Sequence, residues 1–188
     1  MRILERVVSA AKAQGMKSLA LAFAAGGLKG HSGGLLTPPG EKAGLIRSAG
    51  INEVKTMRLD SAFLKMSPAE FFMKVLVQKY GAAGIIVGGD FRFGKGRAGD
   101  VGTLSKLCSD SGINFESVPI VKSAGRKVSS TEIRNLLKEG RVEAANRLLG
   151  REYSVSGVVK GGRGLGKKMG FPTANIKTER DKLLPRGV

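Results

Sequence analysis

Three short stretches of this chain hold side chains suited to gripping a flat, phosphorylated ligand. The first is Gly88-Gly89-Asp90-Phe91-Arg92-Phe93-Gly94-Lys95, which follows the unbroken apolar run Ile85-Ile86-Val87. An apolar run without polar alternation suits a strand covered on both faces, and ligands in open α/β sheets bind outside the carboxyl ends of such strands. Rings, cations and little side-chain bulk at that point suit an aromatic group carrying phosphate. The second stretch is Ser129-Ser130-Thr131-Glu132-Ile133-Arg134, with capping-box spacing from Ser129 to Glu132. A helix starting there gathers hydroxyls, free backbone N–H groups and the positive dipole end beside Arg134, which is the chemistry of an anion site. The third is the cationic glycine loop from Gly161 to Lys168, followed by Phe171-Pro172-Thr173-Ala174-Asn175-Ile176.

Two familiar phosphate motifs nearly match and then fail. Gly89 to Lys95 reads G-x-x-x-x-G-K, but Gly96 stands where a hydroxyl would hold Mg²⁺, and Lys168 does the same in the later loop. Gly94, Gly96 and Gly99 read G-x-G-x-x-G, yet they begin too far beyond the strand to form its first turn. With 28 glycines, such matches arise by chance. By spacing alone, a structural loop with solvated charges explains the first stretch equally well. A plain capped helix on a basic surface explains the second better.

The elements that must position these residues alternate. Residues 2–14 read as a helix with Ile3, Leu4, Val7, Val8 and Ala11 on one face, closed by Gly15. Ser18 to Phe23 reads as a buried strand, and Ala24 to Gly34 has no pattern. Thr37-Pro38 opens a helix ending at Gly50, Ile51 to Met57 supplies a second strand, and Ser67-Pro68-Ala69-Glu70 starts another helix. Further predicted elements are a helix from Asp100 to about Ser111, a strand over Asn114 to Val121, and a short helix between Gly140 and Gly150. Tyr153 to Lys160 alternates like a strand. Strand–helix alternation of this kind predicts a parallel, doubly wound sheet. Such a domain normally opens with a strand, and this chain opens with a helix, so a strand–turn unit before Met1 is expected to be missing.

Composition narrows the classes. Of 188 residues, 41% are hydrophobic, enough for a core. No apolar run reaches a membrane span and no signal peptide is recognisable, so a cytosolic protein without a membrane partner is expected. Cys108, the single cysteine, falls in the apolar stripe with Val101, Leu104 and Leu107 and reads as a buried structural thiol. The single histidine, His31, with no Cys/His cluster, argues against zinc. A net charge of +17 fits nucleic acid, phosphorylated small molecules or an acidic surface. A basic nucleic-acid module is the rival reading, but it lacks a helix-turn-helix, zinc or RNP signature and carries only 5% aromatics. A third reading is an inert remnant.

In the same order, Gly89-Asp90-Phe91-Arg92-Phe93-Gly94, Ser129-Ser130-Thr131-Glu132-Ile133-Arg134 and Gly170-Phe171-Pro172-Thr173-Ala174-Asn175 resemble the bacterial bifunctional riboflavin kinase/FMN adenylyltransferase (FAD synthetase) family. Leu36-Thr37-Pro38 with Glu41-Lys42 and the closing Leu184-Pro185-Arg186-Gly187-Val188 extend the resemblance over nearly the whole chain. It implies a Rossmann-like nucleotidyltransferase domain over 1–149, with its first strand missing. The opening of a β-barrel riboflavin kinase domain would follow over 150–188. The implied reactions are AMP transfer from ATP to FMN, with Mg²⁺, and phosphorylation of riboflavin. The resemblance implies that Gly89, Asp90, Phe91, Arg92 and Phe93 line the flavin and nucleotide site. It likewise implies that Ser129, Ser130, Thr131 and Arg134 bind ATP phosphates, and that Thr173 and Asn175 hold Mg²⁺ and phosphate in the kinase site.

The departures are as informative. The family's opening strand and its G-x-F-D-x-x-H-x-G-H turn have no counterpart here. Its aromatic-acid-Pro-His-Pro segment is replaced by Phe23-Ala24-Ala25-Gly26-Gly27, and His31 is no substitute. A fragment cut at both ends, with little activity, is the expectation. Oligomeric state is not legible.

Overall fold

The computed structural model describes residues 2–24, 34–123, 126–162, 166, 169–179 and 181–187. Described residues of Met1–Gly30 and Pro39–Val121 form one compact unit; those of His31–Pro38 and Lys122–Val188 form a second.

The first unit opens with helix α1 (Arg2–Ala13), followed by strand β1 (Leu19–Ala24), helix α2 (Pro39–Ser48) and strand β2 (Glu53–Arg58). β1 and β2 pair in parallel, with Leu19 opposite Glu53 and Ala24 opposite Arg58. The second strand starts at Glu53 and not at Ile51 because Asn52 closes a side-chain clasp. Its Oδ1 accepts from the backbone N–H and the hydroxyl of Ser18, both at 2.8 Å, and its own N–H donates to Ser18 Oγ at 2.9 Å. The clasp leaves no polar group orphaned at Ser18, which is buried.

Helix α3 (Ser61–Lys65) is a short addition that the sequence pattern did not indicate; Asp60 caps it by accepting from Phe63 N–H at 2.8 Å. Helix α4 (Pro68–Glu70) has the expected capping box. Ser67 Oγ accepts from the Glu70 N–H, and Glu70 Oε2 accepts from the Ser67 N–H at 3.0 Å. The helix then widens into a π-helix over Phe71–Lys79. That stretch turns Phe71, Phe72, Val75 and Leu76 inward, and they build the larger core with Ile85, Phe93, Leu104 and Cys108. Strand β3 (Gly84–Gly88) lies parallel to strand β4 (Asn114–Val118), and helix α5 (Val101–Asp110) precedes β4 in the chain. Cys108 is fully buried, and burial pushes its thiol above the ordinary value.

The α/β class and parallel pairing match expectation, but a single doubly wound sheet does not form. Among the described residues, β1–β2 and β3–β4 are two separate two-stranded sheets. The physical reason is that, among the described residues, no strand lies between β1 and β3. Leu19 to Phe23 of β1 and all of β3 line one largely apolar cavity of about 790 Å³, beside Ile3, Leu4 and Val7 of α1. α1, which lines this cavity, buries none of its residues completely, despite its amphipathic pattern.

The second unit contains the small hairpin of β5 (Lys122–Ser123) and β6 (Arg126–Lys127), helix α6 (Ser130–Lys138), helix α7 (Val142–Leu149) and the antiparallel ribbon β7 (Gly157–Lys160) with β8 (Asn175–Thr178). Its core is Leu36, Ile133, Leu137 and Ala145. Gly150 closes α7 in the left-handed conformation, at φ 67°, which glycine adopts without a Cβ penalty. Segment 34–38 joins this unit through the chain's last residues. Leu35 N–H donates to Asp181 O at 2.6 Å, Leu183 N–H donates to Leu35 O at 2.9 Å, and buried Lys182 donates from Nζ to Leu36 O at 2.9 Å. The Lys182 ammonium also sits 4.4 Å from the Tyr153 ring centroid, a cation–π contact.

The strand expected from Tyr153 begins only at Gly157. Tyr153 is instead pinned to its own core: its N–H donates to Asn146 Oδ1 at 2.8 Å and its hydroxyl donates to Leu183 O at 2.7 Å. Among the described residues, β7 and β8 form a two-stranded ribbon and not a closed barrel. No helix among the described residues is long and apolar enough to cross a membrane.

Candidate functional site

In the first unit, the loop after β3 is built around its two rings. Gly89 N–H donates to Val118 O at 2.9 Å and Phe91 N–H donates to Gly88 O at 2.9 Å, which turns the chain sharply out of the strand. Phe93 is buried and packs on Phe71, with centroids 5.7 Å apart. Phe91 stacks on Phe93 at 5.5 Å and 15° between planes, and it is half-buried. Phe93 is therefore anchored in the core, while Phe91 is the ring nearer the surface. Arg92 is exposed and reaches Asp100 at 3.3 Å. Asp100 also caps α5, accepting from the Thr103 N–H and hydroxyl at 2.8 and 2.9 Å. Those hydrogen bonds, the backbone one foremost, hold the Asp100 carboxyl below its ordinary range. Gly89 and Asp90 are exposed at the tip of the turn.

The loop's glycines have physical reasons of their own. Gly94 sits at φ 74°, and a Cβ there would come within 2.7 Å of the Pro68 nitrogen. Tight backbone against α4 explains this glycine without any ligand. Gly94 in the near-motif beside Lys95 is thus a packing requirement, with Lys95 N–H donating to Met66 O at 2.6 Å.

In the second unit, Ser129 caps α6 by accepting from the Glu132 N–H at 3.2 Å. Ser130 and Thr131 are exposed in the first turn. Arg134 is half-buried, and its Nε donates to Gly34 O at 3.0 Å. That bond fixes the guanidinium plane and leaves its two terminal nitrogens without a hydrogen-bond partner among the described residues. The anchor was not legible in the sequence, because Gly34 lies 100 residues away in a patternless stretch.

Asn175 opens strand β8 of the same unit, opposite Lys160, and Thr173 lies two residues before it in the irregular segment that leads into the strand; both are exposed. A Cβ on Gly166 would lie 3.0 Å from Thr173 Oγ1, and one on Gly162 would strike the Asn175 amide. These two glycines therefore keep open the space beside both side chains. His31, residues 25–27 and Arg163, Gly164, Leu165, Lys167 and Lys168 of the cationic loop lie outside the described residues. Among the described residues, no group of three or more His, Cys, Asp or Glu side chains could hold a metal ion.

Comparison with known proteins gives a consistent picture. The family model described as FAD synthetase matches residues 1–132, and the one described as riboflavin kinase matches residues 149–188. Relatives named bifunctional riboflavin kinase/FMN adenylyltransferase include one from Buchnera aphidicola subsp. Acyrthosiphon pisum, 34% identical over 79% of this chain and 47% of its own. Another, from Escherichia coli strain K12, is 34% identical over 81% and 49% respectively, and one from Listeria monocytogenes is 34% identical over 80% and 48%. The chain thus spans about half the length of the curated relatives it matches. Among solved structures, one titled a macrolide-efflux protein from Streptococcus pneumoniae superposes with TM-score 0.82 at 26% identity, covering 97% of this chain and 60% of that one.

Proposed function

The chain belongs to the FAD synthetase family, and from that premise we propose that it handles ATP and flavin in FAD formation, the AMP unit of ATP passing to FMN. In that reaction a phosphate oxygen of FMN attacks the α-phosphorus of ATP, the bond from that phosphorus to the bridging oxygen breaks, and pyrophosphate leaves. The proposed division is a nucleotidyltransferase domain over 1–149 and the opening of a riboflavin kinase barrel over 150–188, in a cytosolic protein whose partners are small molecules.

The observation that carries this reading is the anchored Arg134 at the start of α6. A guanidinium held by Gly34 O presents its remaining donors in a fixed fork, which suits bidentate contact with phosphate. The exposed hydroxyls of Ser130 and Thr131 and the N-terminal N–H groups add donors, and Ser129 can donate its hydroxyl hydrogen while still accepting from Glu132. In the other unit, Phe91 backed by Phe93 offers a rigid ring for a planar group. Arg92 and the exposed backbone of Gly89 and Asp90 supply polar contacts there. Nucleotidyl and phosphoryl transfers depend mainly on such positioning and on stabilising spread negative charge.

The barrel reading is supported by the ribbon itself. Val158 and Val159 are adjacent in β7, point to opposite faces, and are both 67% exposed. An isolated ribbon with apolar residues on both faces is not independently stable, and a larger sheet would cover them. Thr173 and Asn175 fit Mg²⁺ in donor chemistry, since that ion takes a few hard oxygen ligands and completes its shell with phosphate and water. When bound, it would neutralise phosphate charge.

Turnover by this chain alone is expected to be slow. Its one histidine cannot supply the histidine pair of the family turn, and each missing oxyanion donor costs about 10²–10³ in rate. Incubation with FMN and ATP labelled at the α-phosphate tests the reading: label should appear slowly in FAD. Failure to bind either ATP or FMN, with salt-steep binding of generic DNA instead, would transfer the assignment to the nucleic-acid class.

A further inference from the structure

Arg134 owes its aim to a carbonyl that sits in no helix or strand. Gly34 O, which accepts from Arg134 Nε at 3.0 Å, belongs to a segment tied into the second unit by an isolated parallel bridge between Leu35 and Lys182. Leu35 N–H donates to Asp181 O at 2.6 Å and Leu183 N–H donates to Leu35 O at 2.9 Å. Those are main-chain bonds, which any residue type but proline supplies. The third tie depends on a side chain: Lys182 Nζ donates to Leu36 O at 2.9 Å. Lys182 is buried, and a buried ammonium is costly unless its position and partners are fixed. Here the Tyr153 ring lies 4.4 Å below it, and Tyr153 is itself held through its hydroxyl to Leu183 O.

The same closing segment also grips α6 at its other end. Arg186 N–H donates to Leu137 O at 3.1 Å, and a Cβ on Gly140 would come within 2.8 Å of Arg186 O. Between these points Leu36 packs with Ile133 and Leu137, which flank Arg134 on the helix. Residues 34–36 fall in the stretch matched as FAD synthetase, and residues 181–186 in the stretch matched as riboflavin kinase. The closing segment thus ties down both the carbonyl that orients Arg134 and the helix that carries it. A planar guanidinium grips phosphate with two parallel bonds only while its plane is fixed, so freedom at Gly34 becomes lost affinity.

We propose that Lys182 is a positioning residue for the phosphate site: its ammonium fixes Leu36 O, keeps Gly34 O in place and so aims the Arg134 guanidinium. This rests on the reading that Arg134 grips ATP phosphate.

The test uses the full chain, with two readouts: ATP titration, and hydrogen exchange of the Arg134 Nε–H followed by NMR without ATP. Lys182→Met keeps an apolar side chain and removes the donor. It should speed Nε–H exchange about tenfold or more while the Ile133 and Leu137 amides stay as protected as in the parent. ATP affinity should fall about fivefold, and in the Arg134→Ala background the same change should cost nothing further. Loss of a general positive charge would cost as much in both backgrounds. Gly34→Ala disturbs the same carbonyl with Lys182 intact, because residue 34 sits at φ 80° and its Cβ would lie 3.2 Å from Leu183 Cβ. It should reproduce both effects. Unchanged Nε–H exchange in Lys182→Met, lost protection of Ile133 and Leu137, or an affinity loss that persists without Arg134 would overturn the inference. Arg134→Ala that binds ATP like the parent would instead overturn the phosphate-site reading, and with it the use made of this brace.

Discussion

Phe93 and Gly99 exchange both of their backbone hydrogen bonds, at 3.1 and 2.9 Å, and a Cβ on Gly99 would lie within 2.7 Å of the Phe93 ring. The segment from Gly94 to Ala98, which directly follows Phe91 and Arg92, is therefore pinched shut at its base, and the pinch depends on an absent side chain. Gly99→Ala must push the Phe93 ring away from Phe71 and Phe91. Overpacking of this kind costs about 1–3 kcal/mol, and urea unfolding of the full chain should show a lowered midpoint with an unchanged slope. Phe93→Ala should cost more, about 3–5 kcal/mol, because it empties a core position.

The capping box at Ser67 gives the stability a pH dependence. Hydrogen bonds from the Ser67 backbone, then contact with Lys74, hold the Glu70 carboxyl at about 2, down from 4.5. A depressed folded-state value means that the unfolded chain binds the proton more readily. The contribution is thus complete above about 4.5 and is lost as pH falls toward about 2. Hydrogen exchange of the Phe71–Lys79 amides at pH 5 and pH 2.5 should show selective loosening at the lower value. Glu70→Ala should show that loosening already at pH 5. A π-helix equally protected in parent and variant at both values would contradict this assignment.

Cys108 should behave as a reporter of the first core. It is fully buried and its thiol is raised above the ordinary value by burial, so little thiolate exists near neutral pH. Iodoacetamide should modify it only in denaturant, with the labelling rate tracking global opening. Fast labelling of the native chain would mean that the Leu104–Cys108 side of α5 opens locally.

Much of the fold was legible because local rules fixed it. Ser67 with Glu70, Asp100 with Thr103 and Ser129 with Glu132 are caps whose partners lie three residues apart, and each starts a helix where the sequence indicated. What escaped depends on distant partners. Nothing near Arg134 announces the Gly34 carbonyl, and nothing near Lys182 announces Leu36, 146 residues earlier. The π-helix was hidden because Phe71, Phe72, Val75 and Leu76 fit an ordinary helical stripe equally well. The family resemblance sets Phe93 beside Phe91 as a site-lining ring, and nothing local shows that Phe93 is buried against Phe71 and Gly99. That β1 and β3 belong to two separate sheets among the described residues was invisible to strand patterning, which identifies strands but not their neighbours.

The central claim, phosphate recognition at the start of α6, is tested most directly by calorimetric titration of ATP into the parent chain, Arg134→Ala and Lys138→Ala. Lys138 lies in the last turn of the same helix, away from its N-terminal donors. Weak ATP binding that falls with added salt is expected for the parent. Arg134→Ala should lose at least about tenfold in affinity, and Lys138→Ala should match the parent. Equal ATP affinity in the parent and Arg134→Ala would contradict the account.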